Sequence, residues 1–90
     1  MSQKDKLLKR FYSKPSDLTW EEFVRVFEYY GFTLSNGNGS RRAFYDNQKR
    51  VHYAHQPHPK NIVKAYALKQ AIEFLNNLDQ TYIPQENENE

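Results

Sequence analysis

Apolar positions along the chain change their spacing in step with the turn-forming residues. Between Lys4 and Ser13, Leu7, Leu8 and Phe11 fall at i, i+1 and i+4 among lysines and Arg10, the pattern of a short amphipathic helix that Pro15 ends. Thr19 followed by Glu22 is a capping box, and Leu18 is placed to staple onto Phe23, so a second helix starts at that point. Its residues Trp20, Phe23, Val24, Phe27 and Tyr30 keep helical spacing, and Gly31 stands where a left-handed C-terminal cap is wanted. After Gly31 the pattern alternates, with Phe32 and Leu34 to one side and Thr33 and Ser35 to the other, which predicts a short strand. Asn36-Gly37-Asn38-Gly39-Ser40 reads as a hairpin turn into a second strand, Arg41 to Tyr45. Asp46 to Lys49 turns the chain again into a third strand, about Arg50 to Ala54. His55 to Asn61 holds two prolines and reads as a loop. From Ala65 to Leu78 the residues Leu68, Ala71, Ile72, Leu75 and Leu78 give a final helix its buried stripe.

The predicted architecture is therefore α+β, in the order α-α-β-β-β-α. Turns this short join only antiparallel strands, so the sheet is a three-stranded antiparallel meander, one face packed on the helices and the other open to solvent. Residues 1–80 make a single domain, and residues 81–90 have too little to bury and are expected to form a disordered acidic tail. Ninety residues can bury only a thin core, and with aromatics at 16% a few large rings must supply much of it.

Composition narrows the chemistry. The absence of cysteine excludes disulfides, thiolate nucleophiles and cysteine-based zinc or iron–sulfur sites. No apolar run reaches the roughly 20 residues of a membrane span or forms a signal peptide, so a cytoplasmic protein is expected. The formal charge is +2, but three of the eleven acids lie in the last six residues, and without them the balance rises to about +5. That distribution favours a polyanionic partner.

His52, His55 and His58 cluster within seven residues and supply imidazoles that titrate near neutrality. Two prolines interrupt the run, which argues against a zinc site, and no metal is expected. His52, alternating with Val51 and Tyr53, reads as a surface strand residue. Arg41 and Arg42 must point to opposite faces of a regular strand. If Phe44 faces the helices, Arg42 shares its side and Arg41 lies on the open face with Ala43 and Tyr45. Lys60 and Lys64 precede the last helix, whose N-terminal amides offer an anion site. Tyr45 and Tyr53 are candidates to stack on unpaired bases, whereas Trp20, Phe23, Phe27 and Phe32 read as core. Lys49 and Arg50 read as ordinary turn residues.

Tyr30-Gly31-Phe32, Gly39-Ser40-Arg41-Arg42 and the run from His58 through Lys64 to Leu68-Lys69-Gln70 occur in an order that resembles the HicA family of toxins, over about two thirds of the chain. The resemblance implies a fold like the double-stranded-RNA-binding domain, cleavage of mRNA without a cofactor, and inhibition by a HicB-like antitoxin. The family's catalytic histidine follows the Gly-Ser turn directly, and in this sequence that position is Arg41. The family's loop histidine aligns with His58, or with His55 if two residues are inserted after it. A guanidinium cannot act as a base but can hold a phosphate bidentately. On this reading the catalytic candidates are His58, His55 and Arg41, and the RNA-binding candidates are Arg41, Arg42, Tyr45, Lys60 and Lys64. RNA and an antitoxin protein are the partners. Two other readings stay open: a non-catalytic RNA-binding module, which Arg41 favours, and a protein-interaction domain with an acidic partner.

Overall fold

The computed structural model describes the backbone of residues 2–87 and the side chains of residues 2–78. Helix α1 (Gln3–Tyr12) begins at Ser2, whose hydroxyl accepts from the Asp5 amide at 3.1 Å. Helix α2 (Trp20–Tyr29) carries the predicted capping box: the Thr19 amide donates to Glu22 Oε1 at 3.0 Å, and the Glu22 amide to Thr19 Oγ1 at 3.2 Å. Leu18 and Phe23, the two halves of the staple, are both fully buried. The end of α2 is equally defined. Phe32 donates its amide to the Phe27 carbonyl at 3.0 Å and Gly31 to that of Glu28 at 2.9 Å, with Gly31 at φ +89°, a conformation a side chain would strain. Phe32 then meets Phe27 edge-on at 5.6 Å, so one aromatic pair sets the angle at which the chain leaves the helix.

Three antiparallel strands follow in the spatial order β1 (Thr33–Asn36), β2 (Arg41–Tyr45), β3 (Val51–His55), and helix α3 (Ala65–Asn87) closes the fold. This is the α+β order that the sequence predicts. In register, Leu34, Phe44 and His52 form a row across the helix-facing side, and Ser35, Ala43 and Tyr53 form a row across the open side. Phe44 is fully buried, with Phe27 stacked on it at 4.2 Å and Phe23 and Trp20 at 5.8 and 5.9 Å. Rings of this size each contribute about 1.5–3 kcal/mol when fully buried. On α2 the buried stripe includes Val26, and Val24 is only partly covered.

The structure differs from the sequence reading at three places. Strand β3 runs one residue later than expected, so His55 is a strand residue and not part of the loop. The ladder continues because the Gln56 amide still reaches the Ser40 carbonyl at 2.8 Å. His52 is not a surface residue: it faces the helices, its ring 5.4 Å from Phe27 and 4.8 Å from Phe74. Helix α3 continues past Leu78 to Asn87; apolar spacing reports only the packed part of a helix, so it stops where packing stops. The tail expected at 81–90 thus overlaps α3 in its backbone, and residues 88–90 lie outside the described residues.

The loop after β3 is pinned at its far end by α2. Trp20 donates its amide to the Asn61 carbonyl at 3.1 Å and Val63 to that of Leu18 at 2.8 Å, and Asn61 donates its side-chain amide to the Glu21 carboxylate. In the same first turn of α2, Glu22 pairs with Arg10 of α1 at 3.1 Å. That hydrogen bond from Arg10 holds the Glu22 carboxyl below the usual carboxylate range, against the opposing effect of partial burial.

Candidate active site

The hairpin between β1 and β2 fixes the first part of the site. Gly37 donates its amide to the Arg41 carbonyl at 2.8 Å and Arg41 donates to Asn38 at 3.1 Å, while Gly39 takes φ +60° to close the turn. Arg42 then wraps back on this turn, its Nη1 donating to the carbonyls of Gly39 and Arg41, both at 2.8 Å, and its Nε to Gln56 Oε1 at 3.0 Å. Half-buried and held through Nε and Nη1, Arg42 ties the Gly39-Ser40 turn to the end of β3. Arg41 does the opposite and lies exposed on the open face, its guanidinium 5.5 Å from the centre of the Tyr53 ring.

A cleft of about 190 Å³ opens where the turn, the loop and the start of α3 converge, lined by Ser40, His55, His58, Lys64 and Tyr66 among others. His55 ends β3 directly opposite Arg41 in the ladder, and its Nδ1 lies 3.3 Å from Ser40 Oγ. Ser40 thus engages one ring nitrogen and leaves Nε2 for a ligand. His58, exposed between Pro57 and Pro59, also borders a depression with Arg42 and another with Lys60 and Lys64. Lys64 stands at the first turn of α3, its carbonyl accepting from the Leu68 amide at 3.0 Å. None of these three adjoining depressions has an acid in its lining, so the local field is positive.

His52 belongs elsewhere. Burial against the Phe27 and Phe74 rings pushes its pKa below the ordinary imidazole value, which favours the neutral form. Arg50 is likewise structural: it pairs with Asp46 at 2.8 Å, and its hydrogen bonds to Asp46, together with that of the Gln48 amide, outweigh burial and lower the Asp46 pKa. Among the described residues no His, Asp and Glu group could hold a metal ion.

Of the residues singled out from sequence, His55, His58 and Lys64 share the cleft, Lys60 borders the adjoining depression, and Arg41 flanks it on the sheet. Tyr45, at the far end of β2 from Arg41, does not reach the cleft; four strand residues span about 13 Å. Ser40 and Tyr66 are additions. Ser40 lies in a turn already noticed, and its place beside His55 follows once Arg41 and His55 are paired. Tyr66 carries no signal in the sequence.

Compared with known protein families, residues 20–76 match the model described as the HicA toxin of bacterial toxin-antitoxin systems. The chain belongs to the HicA family. No curated protein and no solved structure gives a match. The HicA match takes in α2, the sheet, the whole cleft and the packed part of α3, and leaves α1 outside it. As a HicA toxin the protein is one half of a pair whose other half is an antitoxin. Among the described residues, no helix is long and apolar enough to cross a membrane.

Proposed function

We propose that this HicA toxin is a metal-independent endoribonuclease of the cytoplasm that cleaves mRNA in the Ser40–His55–His58–Lys64 cleft, and that a HicB-like antitoxin neutralises it. One observation carries the reading. Arg41 occupies the position that the family resemblance gives to a catalytic histidine, and His55 is its direct partner across the ladder. Directly opposed residues hold their Cβ atoms about 4.5–5.5 Å apart, so an imidazole stands one residue's breadth from the required place.

Without a metal, cleavage needs a base, an acid and a cationic seat for the phosphate. His55, steadied by Ser40, takes the proton of a ribose 2′-hydroxyl through Nε2. The freed 2′-oxygen attacks the adjacent phosphorus, and the bond to the 5′-oxygen of the next nucleotide breaks. His58 gives that leaving oxygen its proton. Lys64 and Arg41 hold the non-bridging oxygens, Arg41 by its fork of donors, while Lys60 meets a neighbouring phosphate. Arg42 serves indirectly by fixing the turn that carries Ser40. The products are a 2′,3′-cyclic phosphate and a 5′-hydroxyl end.

A long RNA incubated with the purified protein in EDTA tests this. Cleavage is expected, falling by about 10²–10⁴-fold in His55→Ala and His58→Ala and by less in Arg41→Ala. The second reading, an RNA-binding module without a reaction, rests on Arg41 itself, which cannot act as a base. It is supported if RNA binds in a strongly salt-dependent way and stays intact. No RNA binding at any salt leaves a domain that contacts proteins only. In cells, induction should arrest growth, and the product of an adjacent gene should relieve it.

A further inference from the structure

The described residues expose four large hydrophobic side chains: Tyr45 at 44%, Val51 at 40%, Tyr53 at 60% and Tyr66 at 57%. None is scattered. Tyr66 lines the cleft, and the other three lie on the open face of the sheet that leads away from it. Three exposed apolar side chains on one sheet face beside a cleft mark a place where something binds.

We infer that this open face is a base-stacking platform for single-stranded RNA, with Tyr53 and then Tyr45 receiving successive bases on one side of the cleavage point. The inference rests on the RNA reading of the cleft and adds the form of RNA it takes. Register gives the order. The row nearest the cleft pairs Arg41 with His55, the next pairs Ala43 with Tyr53, and the last pairs Tyr45 with Val51. A strand leaving the cleft therefore passes Arg41, then the Tyr53 ring, then the Tyr45 ring. The two tyrosines are diagonal neighbours, about 7–8 Å apart, a gap that consecutive splayed nucleotides can bridge. Small neighbours leave room above Tyr53: its row continues through Ala43 to Ser35. Arg41 lies over that ring at 5.5 Å, so a base takes the ring by displacing the exposed guanidinium, whose donors then stand beside the stacking surface, where a phosphate would sit. No acid lies on this face in any of the three strands, so no strand residue there repels a polyanion. Duplex RNA has its bases already stacked and offers these rings only its backbone, so the surface selects unpaired RNA.

The test uses a short single-stranded RNA methylated at every 2′-oxygen, which the cleavage reaction cannot consume, beside a duplex of the same sequence. Wild-type protein should bind the single strand more tightly than the duplex. Tyr53→Ala should weaken single-strand binding by about tenfold, and Tyr53→Phe should stay within about twofold of wild type. Tyr53→Trp should bind, with its new indole fluorescence quenched by the oligonucleotide. Wild-type binding that Tyr53→Ala leaves unchanged, or duplex bound as tightly as single strand, overturns the platform and leaves the cleft intact. If wild type binds neither RNA, the cleft reading falls and the platform with it. If Tyr53→Ala keeps full RNA affinity but loses the antitoxin, the face serves a protein and the inference is wrong.

Discussion

His52 and His55 belong to one five-residue strand and live in different media. His52 faces inward beside Phe44 and packs against Phe27 and Phe74, so its ring works as a flat, mostly apolar filler whose proton is unwelcome. His55 faces outward beside Arg41, with a hydroxyl on one nitrogen and solvent at the other. The same alternation separates Arg42, a staple with three hydrogen bonds, from Arg41, whose guanidinium lies on an exposed ring. The pleat thus sorts chemically identical side chains into structure and chemistry, and the two faces of this sheet should fail in different ways when altered.

The largest contrast is expected at Phe44. Phe44→Ala removes the ring at the centre of the core and should cost about 3–5 kcal/mol of stability in urea unfolding, enough to unfold a domain this small under mild conditions. Val51→Ala, on the open face, should cost about 1 kcal/mol or less. The arginine pair sharpens the division. Arg42→Ala should lower stability by about 1–2 kcal/mol, because it releases carbonyls that now accept charged donors. Arg41→Ala should leave unfolding unchanged and reduce the salt dependence of RNA binding by about 0.7 in log–log slope, the share of one phosphate on a single strand.

The smallest effect concerns pH. Because the folded state lowers the His52 pKa, the unfolded chain takes up the proton first as pH falls through the ordinary imidazole range. Stability from His52 is therefore complete above that range and is lost on acidification toward the lowered pKa. Replacing His52 by Phe should flatten the fall in melting temperature between about pH 7 and about pH 5. A slope unchanged in His52→Phe would mean that the ring is freely solvated.

Much of this is legible in the sequence. The capping box at Thr19 and Glu22, the left-handed Gly31 and the Asn-Gly turns are local devices, and local devices fix element order in any sequence that carries them. The sidedness of Arg41 and Arg42 followed from period-two alternation once Phe44 was assigned to the core. What escaped was set by contacts distant in the chain. His52 looked like a surface residue because its partners Phe27 and Phe74 come from two helices. His55 looked like a loop residue because its strand is prolonged by the Gln56 amide, which donates to the carbonyl of Ser40, sixteen positions away. That one-residue error in β3 hid the pairing of His55 with Arg41, which is the feature the proposed chemistry depends on.

The most direct test of that chemistry is cleavage of a defined RNA whose principal cut site has been mapped and whose nucleotide on the 5′ side of that cut is then replaced by its 2′-deoxy form. Attack by the neighbouring 2′-oxygen predicts that the unmodified RNA yields a 2′,3′-cyclic phosphate and a 5′-hydroxyl, and that the single deoxy substitution abolishes cutting at that bond in EDTA while binding persists. Continued cleavage at the substituted bond, or products bearing a 5′-phosphate, would contradict the account.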